Sequence, residues 1–335
     1  MHTETDNILE NLFMIIERFD NGWGPEWPAK QFEKSLLDPL LCELSVDESQ
    51  TVIINSTWYS QEYHQQVLAK LRQTSFTHLV LVAMLDPAIP YSTWFAEFDC
   101  KIFCVGYYAG DYNIDYWALF THQYNHDVPG TDSDQIDTAY MCLNRKPHWH
   151  RQRLYQQLLD QGIVDAGLVS FGTDRSLPQD RSHDNFAPEA SKDKYGVPND
   201  IASLGHAENW NRCFLNVVTE TAWDINQTGF VSEKIYKPIV GCRPFLVYDT
   251  DGAVTWLTTR GFEPYVNDFK DIADLDLTNP ESLASFLRTL CDQPQSYWQK
   301  KFVDLQDKIL YNKSQFEKYI NTQKFIIQKG IQCQI

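Results

Sequence analysis

Short apolar runs alternate with amphipathic stretches through the first part of the chain. Three of these runs have the length of strands and lie at residues 51–58, 78–85 and 101–108. The stretches between them carry apolar residues at helical spacing. This alternation is typical of βαβ units on a parallel sheet, so residues 1–125 are predicted to form an α/β domain.

The same alternation begins again after a polar interval. Residues 126–137 contain Pro, Gly, Asp and Ser without apolar periodicity, so they are predicted to be a linker. A second α/β domain is predicted over residues 138–335, with strands at 138–144, 168–172, 214–220 and 244–250. Open parallel sheets bind ligands at the carboxyl ends of their strands, so we expect the functional site in a cleft between the two domains.

Helical periodicity also predicts amphipathic helices in three other places. They lie at residues 1–19, at residues 148–162 and in a segment starting near Ala253. The helix at 148–162 is predicted to bury one face, which carries Tyr155, Leu158 and Leu159.

Two further segments each have two alternative placements in the predicted fold. The C-terminal tail, 294–329, has apolar residues at helical spacing and is predicted either to end the second domain or to pack back on the first. The polar segment 173–200 is predicted to be either a long loop over a site or a disordered excursion.

Composition and charge narrow the classes of function. Apolar residues make up 43% and aromatic residues 14% of the 335-residue chain, as in a globular protein. The net charge of −17 argues against a nucleic-acid partner, because nucleic-acid binders present a basic face. We find no signal peptide pattern and no apolar run of membrane-spanning length, and the eight cysteines are scattered. The expected location is therefore cytoplasmic, without a transmembrane segment.

A Ser-Glu-Lys triplet marks the predicted start of a helix in the second domain. Ser232 is a natural N-cap, with Glu233 and Lys234 in the first turn and Lys237 one turn later. Free backbone N–H groups and two lysines would attract a phosphate, and Glu233 suits the two hydroxyls of a ribose. Pro238 predicts a kink or a late helix start. The alternative is a capped surface helix with solvated charges.

A second basic cluster precedes the helix at 148–162. It contains Arg145, Lys146, Arg151 and Arg153. The planar guanidinium of arginine suits a pyrophosphate. The alternative is that these arginines only make the helix surface soluble.

Two stretches of the second domain together resemble a known family. They are LNRKPHWHRQRLYQQL, 143–158, and LNVVTETAWDINQTGFVSEKIYKPIVGCRPFLVYD, 215–249. They resemble the C-terminal, donor-binding half of the fucosyltransferase-like glycosyltransferases, the α1,3-fucosyltransferases and their relatives. The resemblance implies the GT-B fold, in which two Rossmann-like domains with parallel sheets face each other across a cleft. It also implies inverting transfer from a nucleoside-diphosphate sugar, without a metal or other cofactor.

The resemblance assigns roles to residues of this chain. Arg151 and Lys234 would hold the diphosphate, and Glu233 would hold the ribose. The remaining predicted donor-binding residues are Asn144, Arg145, Glu220, Ser232 and Lys237.

The chain departs from the family pattern at two positions. Leu215 stands where the family has the glutamate of a Phe-Glu-Asn strand, and Glu220 lies four residues beyond Asn216. Ser232 replaces the usual threonine. The identities of the sugar and of the nucleotide base are therefore left open, and GDP-fucose is one candidate for the donor. The acceptor is expected to be a glycan or another hydroxyl compound.

Inverting transfer needs a carboxylate that removes the proton of the acceptor hydroxyl. We expect this base in the first domain, at Asp111 or Asp115, which follow the run at 101–108. Asp111 is favoured because a turn at the carboxyl end of a strand points into the cleft. Asp86, Glu97 and Asp99 are alternatives.

Other chemistries have weaker patterns. A metal-dependent glycosyltransferase could use Asp249 and Asp251, and His148 with His150 could bind zinc, although no further ligand lies at a supporting spacing. A non-catalytic, two-lobed protein that binds nucleotides or carbohydrates would share the basic clusters. A phosphorylase or phosphatase acting on a sugar phosphate is a third possibility.

Overall fold

The computed structural model describes parts of the first 110 residues and most of the chain beyond them. The described residues are 14–15, 51–56, 64–65, 68–69, 71–73, 78–83, 93, 95–99, 101–106, 115–124, 132–144, 147–171, 183–184, 204, 207–221, 223, 231–249 and 252–334. The chain divides into two compact units, Met1–Phe120 with Asn321–Ile335, and Thr121–Ile320.

The first unit contains a four-stranded parallel sheet. Its strands, in the order in which they pair, are β1 (Met14–Ile15), β2 (Thr51–Ser56), β3 (His78–Ala83) and β4 (Lys101–Gly106). The three predicted strands are thereby confirmed. The predicted N-terminal helix is wrong at Met14–Ile15, because these two residues pair with Val52 and Ile53 at the edge of the sheet. Apolar residues of a strand and of a helix cannot be told apart by periodicity over so short a run.

The second unit contains a five-stranded sheet. Its strands are β5 (Thr138–Asn144), β6 (Leu168–Phe171), β7 (His183–Asp184), β8 (Cys213–Thr219) and β9 (Phe245–Tyr248). They pair in the order β7-β6-β5-β8-β9, and all pairs are parallel except the β6–β7 pair at one edge. The four predicted strands of this domain are confirmed. The prediction missed β7, which has only two residues and lies in the polar segment 173–200.

Eight α-helices are found among the described residues. They are α1 (Tyr116–Tyr124), α2 (Trp149–Asp160), α3 (Ala207–Arg212), α4 (Glu233–Val240), α5 (Gly252–Thr259), α6 (Pro280–Cys291), α7 (Gln295–Asp304) and α8 (Gln306–Gln334). The protein is therefore an α/β protein with parallel sheets, as predicted. None of the helices in the described part of the chain is both long and apolar enough to cross a membrane.

The buried face of α2 is rotated from the predicted one. Leu158 is buried as expected, but Leu159 is exposed, and the rest of the buried face consists of His150, Arg151 and Leu154. Leu154 lies four residues before Leu158, and together they centre the face about 120° away from Leu159. The prediction for Leu159 was wrong because the polar residues His150 and Arg151 were not expected in the interior.

Helix α4 begins at the residue that the N-cap predicts. The Ser232 hydroxyl accepts a hydrogen bond from the Lys234 N–H, so the late start expected from Pro238 does not occur. Pro238 cannot donate to the Lys234 carbonyl, and the helix ends two residues later at Val240. The Pro238 carbonyl accepts from the Arg243 N–H at 2.9 Å, which closes the turn into β9.

The buried Arg243 joins three elements of the second unit. Its Nε donates to the carbonyl oxygen of Trp210 in α3 at 2.5 Å, and its guanidinium carbon lies 4.9 Å from the ring centroid of Phe302 in α7. A buried arginine is stable only when its donors are satisfied, and here Nη1 also donates to the Cys242 carbonyl oxygen at 2.8 Å. Arg243 thus packs α3 and α7 against the start of β9.

The C-terminal helices bury the apolar positions that the sequence predicts. The buried residues on α7 and α8 include Phe302, Ile309, Phe316 and Ile320, whereas Phe325 is exposed. The periodicity is thus confirmed up to Ile320, where the division between the two units falls.

Adjacent residues of α8 provide a test of this amphipathic packing. Ile309 is 1% exposed and Leu310 is 46% exposed. We expect Ile309→Ala to lower the free energy of unfolding by about 2–4 kcal/mol, because it removes buried methyl groups and leaves a cavity. We expect Leu310→Ala to change it by less than about 0.5 kcal/mol. Urea unfolding followed by circular dichroism measures both, and equal losses would contradict the orientation of α8.

Candidate functional site

The carboxyl ends of the parallel strands of the second unit lie at one edge of its sheet. Asn144 ends β5, Thr219 ends β8 and Tyr248 ends β9. Helices α2 and α4 begin beyond the ends of β5 and β8, so their N-termini and backbone N–H groups lie at this edge. We call this place the strand-end site. Its polar side chains are Asn144, His150, Arg151, Thr219, Glu220, Thr221, Ser232, Glu233 and Lys234.

Glu220 connects the end of β8 to the start of α4. It is 1% exposed, and its Oε2 accepts hydrogen bonds from the Thr221 N–H at 3.1 Å, the Ser232 N–H at 3.0 Å and the Ser232 hydroxyl at 2.5 Å. Burial raises the pKa of Glu220, and the ammonium of Lys234 opposes part of this rise. Its other oxygen, Oε1, is buried without a hydrogen-bond partner among the described residues.

The first turn of α2 holds the same strand end from the other side. Arg151 Nη2 donates to the carbonyl oxygens of Thr219 and Glu220, both at 2.9 Å, and His150 Nε2 lies 2.9 Å from the Glu220 carbonyl oxygen. Burial lowers the pKa of Arg151, while the carboxylates of Glu220 and Glu233 favour its charged form. An arginine side chain keeps its proton in such surroundings, so a positive charge lies beneath the site.

Asn144 joins the ends of two strands. Its side-chain oxygen accepts a hydrogen bond from the Thr219 hydroxyl, and its Nδ2 lies 3.2 Å from Cys142 Sγ. The residue is buried, so it orients the strand ends rather than presenting its amide to solvent. Arg145, predicted beside it, lies outside the described residues.

The Ser-Glu-Lys triplet forms an ion pair at the start of α4. Lys234 Nζ lies 2.6 Å from Glu233 Oε1 and also donates to Thr221 Oγ1 at 3.2 Å and Ser232 Oγ at 3.3 Å. The Lys234 side chain is 26% exposed, whereas that of Glu233 is buried. Burial works to raise the pKa of Glu233, but the ammonium groups of Lys234 and Lys237 outweigh it and hold this pKa below its usual value. Glu233 is therefore ionised at neutral pH.

Aromatic side chains lie close together at or beyond the ends of β5, β8 and β9. We call Trp149, His150, Trp223 and Tyr248 the aromatic cluster. The Trp223 ring centroid lies 5.3 Å from Trp149, 5.4 Å from His150 and 4.5 Å from Tyr248. Trp149 is 52% exposed, so the cluster reaches the protein surface at this residue. Sequence reasoning missed Trp223 and Tyr248, although the position of Tyr248 at a strand end could have indicated it.

The two predicted catalytic carboxylates have different outcomes. Asp111 lies outside the described residues. Asp115 is buried at the start of α1, where its Oδ1 accepts a hydrogen bond from the Ala118 N–H at 3.0 Å. This is the geometry of an N-cap, so one carboxylate oxygen of Asp115 already has a structural task.

The alternative carboxylates also have identifiable places where they are described. Glu97 forms an exposed ion pair with Arg72, at 2.8 Å between Glu97 Oε1 and Arg72 Nη2. Asp249 is buried, and its Oδ2 accepts from the Ala253 N–H at 2.9 Å in the first turn of α5. Asp251 lies outside the described residues. The oxygen of Asp249 that faces α5 thus serves the helix start rather than an open position.

A cavity lies between α2 and the start of α6. Its volume is about 460 Å³, within the range of small-molecule sites. Its lining is mostly polar and consists of Arg153, Gln156, Gln157, Asp276, Thr278, Asn279, Pro280 and Glu281. Burial raises the pKa of Tyr248 to about 12, and the charge of Arg153 opposes this rise.

The buried imidazole of His150 predicts a pH-dependent stability. Burial lowers the pKa of His150 to about 4, below its value of about 6.5 in an unfolded chain. Between these pH values the unfolded chain binds more protons, so this contribution is complete above pH 6.5 and is lost as the pH falls to 4. We expect His150→Gln to remove this pH dependence. Between pH 7 and pH 4, the free energy of unfolding of the wild type should therefore fall by up to about 3 kcal/mol more than that of the variant. Urea unfolding at each pH measures this, and a constant difference would contradict the prediction.

Known proteins do not identify the site. Comparisons of the chain with protein-family models, with curated proteins and with solved structures each found no match. Its function is therefore inferred from the geometry of the strand-end site.

Proposed function

We propose that the protein is an inverting, metal-independent glycosyltransferase that binds a nucleoside-diphosphate sugar at the strand-end site. The sugar would pass to a glycan or another hydroxyl acceptor, and fucose is one candidate for it. The GT-B arrangement of two Rossmann-like domains, which the sequence resemblance implies, is part of this proposal. So are the predicted cytoplasmic location and the assignment of acceptor binding to the first domain.

The observation that supports the proposal most is the partly exposed ammonium of Lys234 at the N-terminus of α4. A helix N-terminus carries a partial positive charge, and the Lys234 and Lys237 side chains add full charges to it. The net charge of the chain is −17, so an anion needs a local group of positive charges such as this one. A diphosphate fits the site because it is anionic and compact.

The ion pair between Lys234 and Glu233 suits the role proposed for each residue. Glu233 Oε1 holds Lys234 Nζ at 2.6 Å, which fixes the ammonium before an anion arrives. Glu233 would bind the ribose hydroxyls through its second carboxylate oxygen. Because its pKa is held low, this oxygen is a hydrogen-bond acceptor at neutral pH.

Arg151 has a different part in the proposal from the one that the sequence suggested. Its Nη2 holds the Thr219 and Glu220 carbonyls and the side chain is buried, so it contributes positive charge and positions the end of β8. Direct contact between Arg151 and the diphosphate stays a prediction. Lys234 is the residue to which the proposal assigns that contact.

The chemistry would be a direct displacement at the anomeric carbon. The acceptor oxygen forms a bond to this carbon as the bond to the diphosphate oxygen breaks, and a base takes the acceptor proton. Negative charge then grows on the leaving diphosphate, where Lys234 and the N-terminus of α4 would stabilise it. Asp111 stays the predicted base, and Asp115 is less suited to this role because it caps α1.

Nucleotide binding provides the first test. We expect one of GDP, UDP, CDP or ADP to raise the melting temperature by several degrees, because a ligand that binds only the folded state stabilises it. The same shift should appear in the presence of EDTA. A thermal-shift screen measures this. If no nucleotide stabilises the protein, the proposed donor site is wrong, and a shift that EDTA abolishes would contradict the metal-independent mechanism.

Replacement of Lys234 tests the catalytic part of the proposal. We expect Lys234→Ala to lower kcat by about 100-fold or more, because stabilisation of the leaving diphosphate is lost. Lys300→Ala, which removes an exposed lysine of α7, is the matched control and should leave kcat unchanged. Release of the nucleotide from the sugar donor is the measurement, and circular dichroism checks that both variants are folded. Equal activity of the two variants would disprove the assignment of Lys234.

A further inference from the structure

Three buried polar atoms without a hydrogen-bond partner among the described residues lie in one region of the strand-end site. They are His150 Nδ1, Glu220 Oε1 and Tyr248 Oη. His150 and Tyr248 both contact the Trp223 ring, and His150 Nε2 lies 2.9 Å from the Glu220 carbonyl oxygen. The three residues therefore belong to a single neighbourhood around the aromatic cluster.

Unsatisfied buried polar groups are costly, so folded proteins contain few of them. A cluster of three at the carboxyl ends of a parallel sheet is explained if a ligand supplies the missing partners. A structural core would be served better by phenylalanine at 248, because the Tyr248 hydroxyl makes no hydrogen bond with the described residues. The side chains thus indicate binding rather than packing.

The chemistry of the three atoms indicates what kind of ligand fits. His150 Nε2 faces a carbonyl oxygen, so this nitrogen carries the proton and Nδ1 is an acceptor. Glu220 Oε1 is a second acceptor when the carboxyl is ionised, and Tyr248 Oη can accept or donate. A ligand with several O–H donors would satisfy all three. The faces of Trp149 and Trp223 would pack against the C–H groups of such a ligand.

The position of Glu220 also agrees with a sugar that is attached to a diphosphate. Glu220 Oε2 lies 2.5 Å from the Ser232 hydroxyl, which lies 3.3 Å from Lys234 Nζ. In a nucleoside-diphosphate sugar, the sugar ring is joined directly to the terminal phosphate. A phosphate at Lys234 would therefore place the ring beside Glu220.

We propose that Glu220 and the aromatic cluster form the subsite for the sugar ring of the donor, with His150, Glu220 and Tyr248 as the groups that recognise its hydroxyls. This inference rests on the proposed function, because it assumes that Lys234 holds the diphosphate. The Trp223 ring contacts the rings of both His150 and Tyr248 and forms one wall of the subsite.

Tyr248→Phe tests the subsite by opposite effects on stability and binding. The variant removes a buried hydroxyl that has no partner, so we expect the melting temperature to rise by about 1–2 °C. We expect the affinity for the nucleotide sugar to fall about fivefold to tenfold, while that for the matching nucleoside diphosphate changes less than about twofold. Calorimetric titration with GDP, UDP, CDP or ADP and the corresponding sugar donors measures both affinities.

Tyr140→Phe is the matched control in the same unit. The Tyr140 hydroxyl donates to the Ile163 carbonyl oxygen at 2.7 Å, away from the strand ends. This variant should lower the melting temperature and leave the ratio of the two affinities unchanged.

The outcomes separate this inference from the proposed function. A loss confined to the nucleotide sugar supports the subsite. If Tyr248→Phe weakens both ligands equally, or weakens neither, the subsite is wrong and the diphosphate site still stands. If the wild type binds no nucleoside diphosphate, the proposed function is wrong. The assignment of a donor sugar to this subsite is then wrong as well.

Discussion

The arrangement of the second unit's site depends on how the chain leaves β8 at Glu220. The carbonyl oxygen of this residue accepts hydrogen bonds from the first turn of α2, and its carboxylate accepts three hydrogen bonds, two of them from Ser232. One residue therefore sets the positions of two helix N-termini relative to a strand end. Because Glu220 is buried, its bonds do not compete with water, and loss of its carboxylate would leave the Ser232 N–H without its partner.

Charges at the strand-end site are arranged in alternation. The carboxylates of Glu220 and Glu233 favour the charged form of Arg151, and Lys234 Nζ lies 2.6 Å from Glu233 Oε1. Each buried charge therefore has an opposite charge nearby. Burial of an unpaired charge would be far more costly. Of these four charged side chains, Lys234 is the most exposed. An anion that binds there would meet an ammonium already held by Glu233 and by the Thr221 and Ser232 hydroxyls. Such preorganisation reduces the entropy lost on binding.

Local patterns in the sequence predicted most of the fold. Seven strands, helix α2 and the N-cap at Ser232 follow from apolar runs, helical spacing and capping chemistry, all of which act over a few residues. The errors have long-range causes. Met14–Ile15 joins a sheet through residues nearly forty positions away, and α2 is rotated because Arg151 is buried against carbonyls of β8.

The candidate site was predicted in part for the same reason. Ser232, Glu233 and Lys234 could be found because they are adjacent in sequence and share a helix start. The sequence could not predict that Glu220 connects β8 to α4, or that Trp223 packs with Tyr248 and His150. Both arrangements depend on tertiary contacts between separate strands and helices. Their residue types carry no local signal for those contacts.

The hydrogen bonds between Glu220 and Ser232 join residues twelve positions apart in the chain. They fix the two ends of the intervening segment close to each other. Loop-closure entropy changes slowly with length, so these bonds hold the two ends at a similar cost whether the chain between Trp223 and Val231 is shorter or longer. A change in the length of this segment should therefore leave the end of β8 and the start of α4 in place.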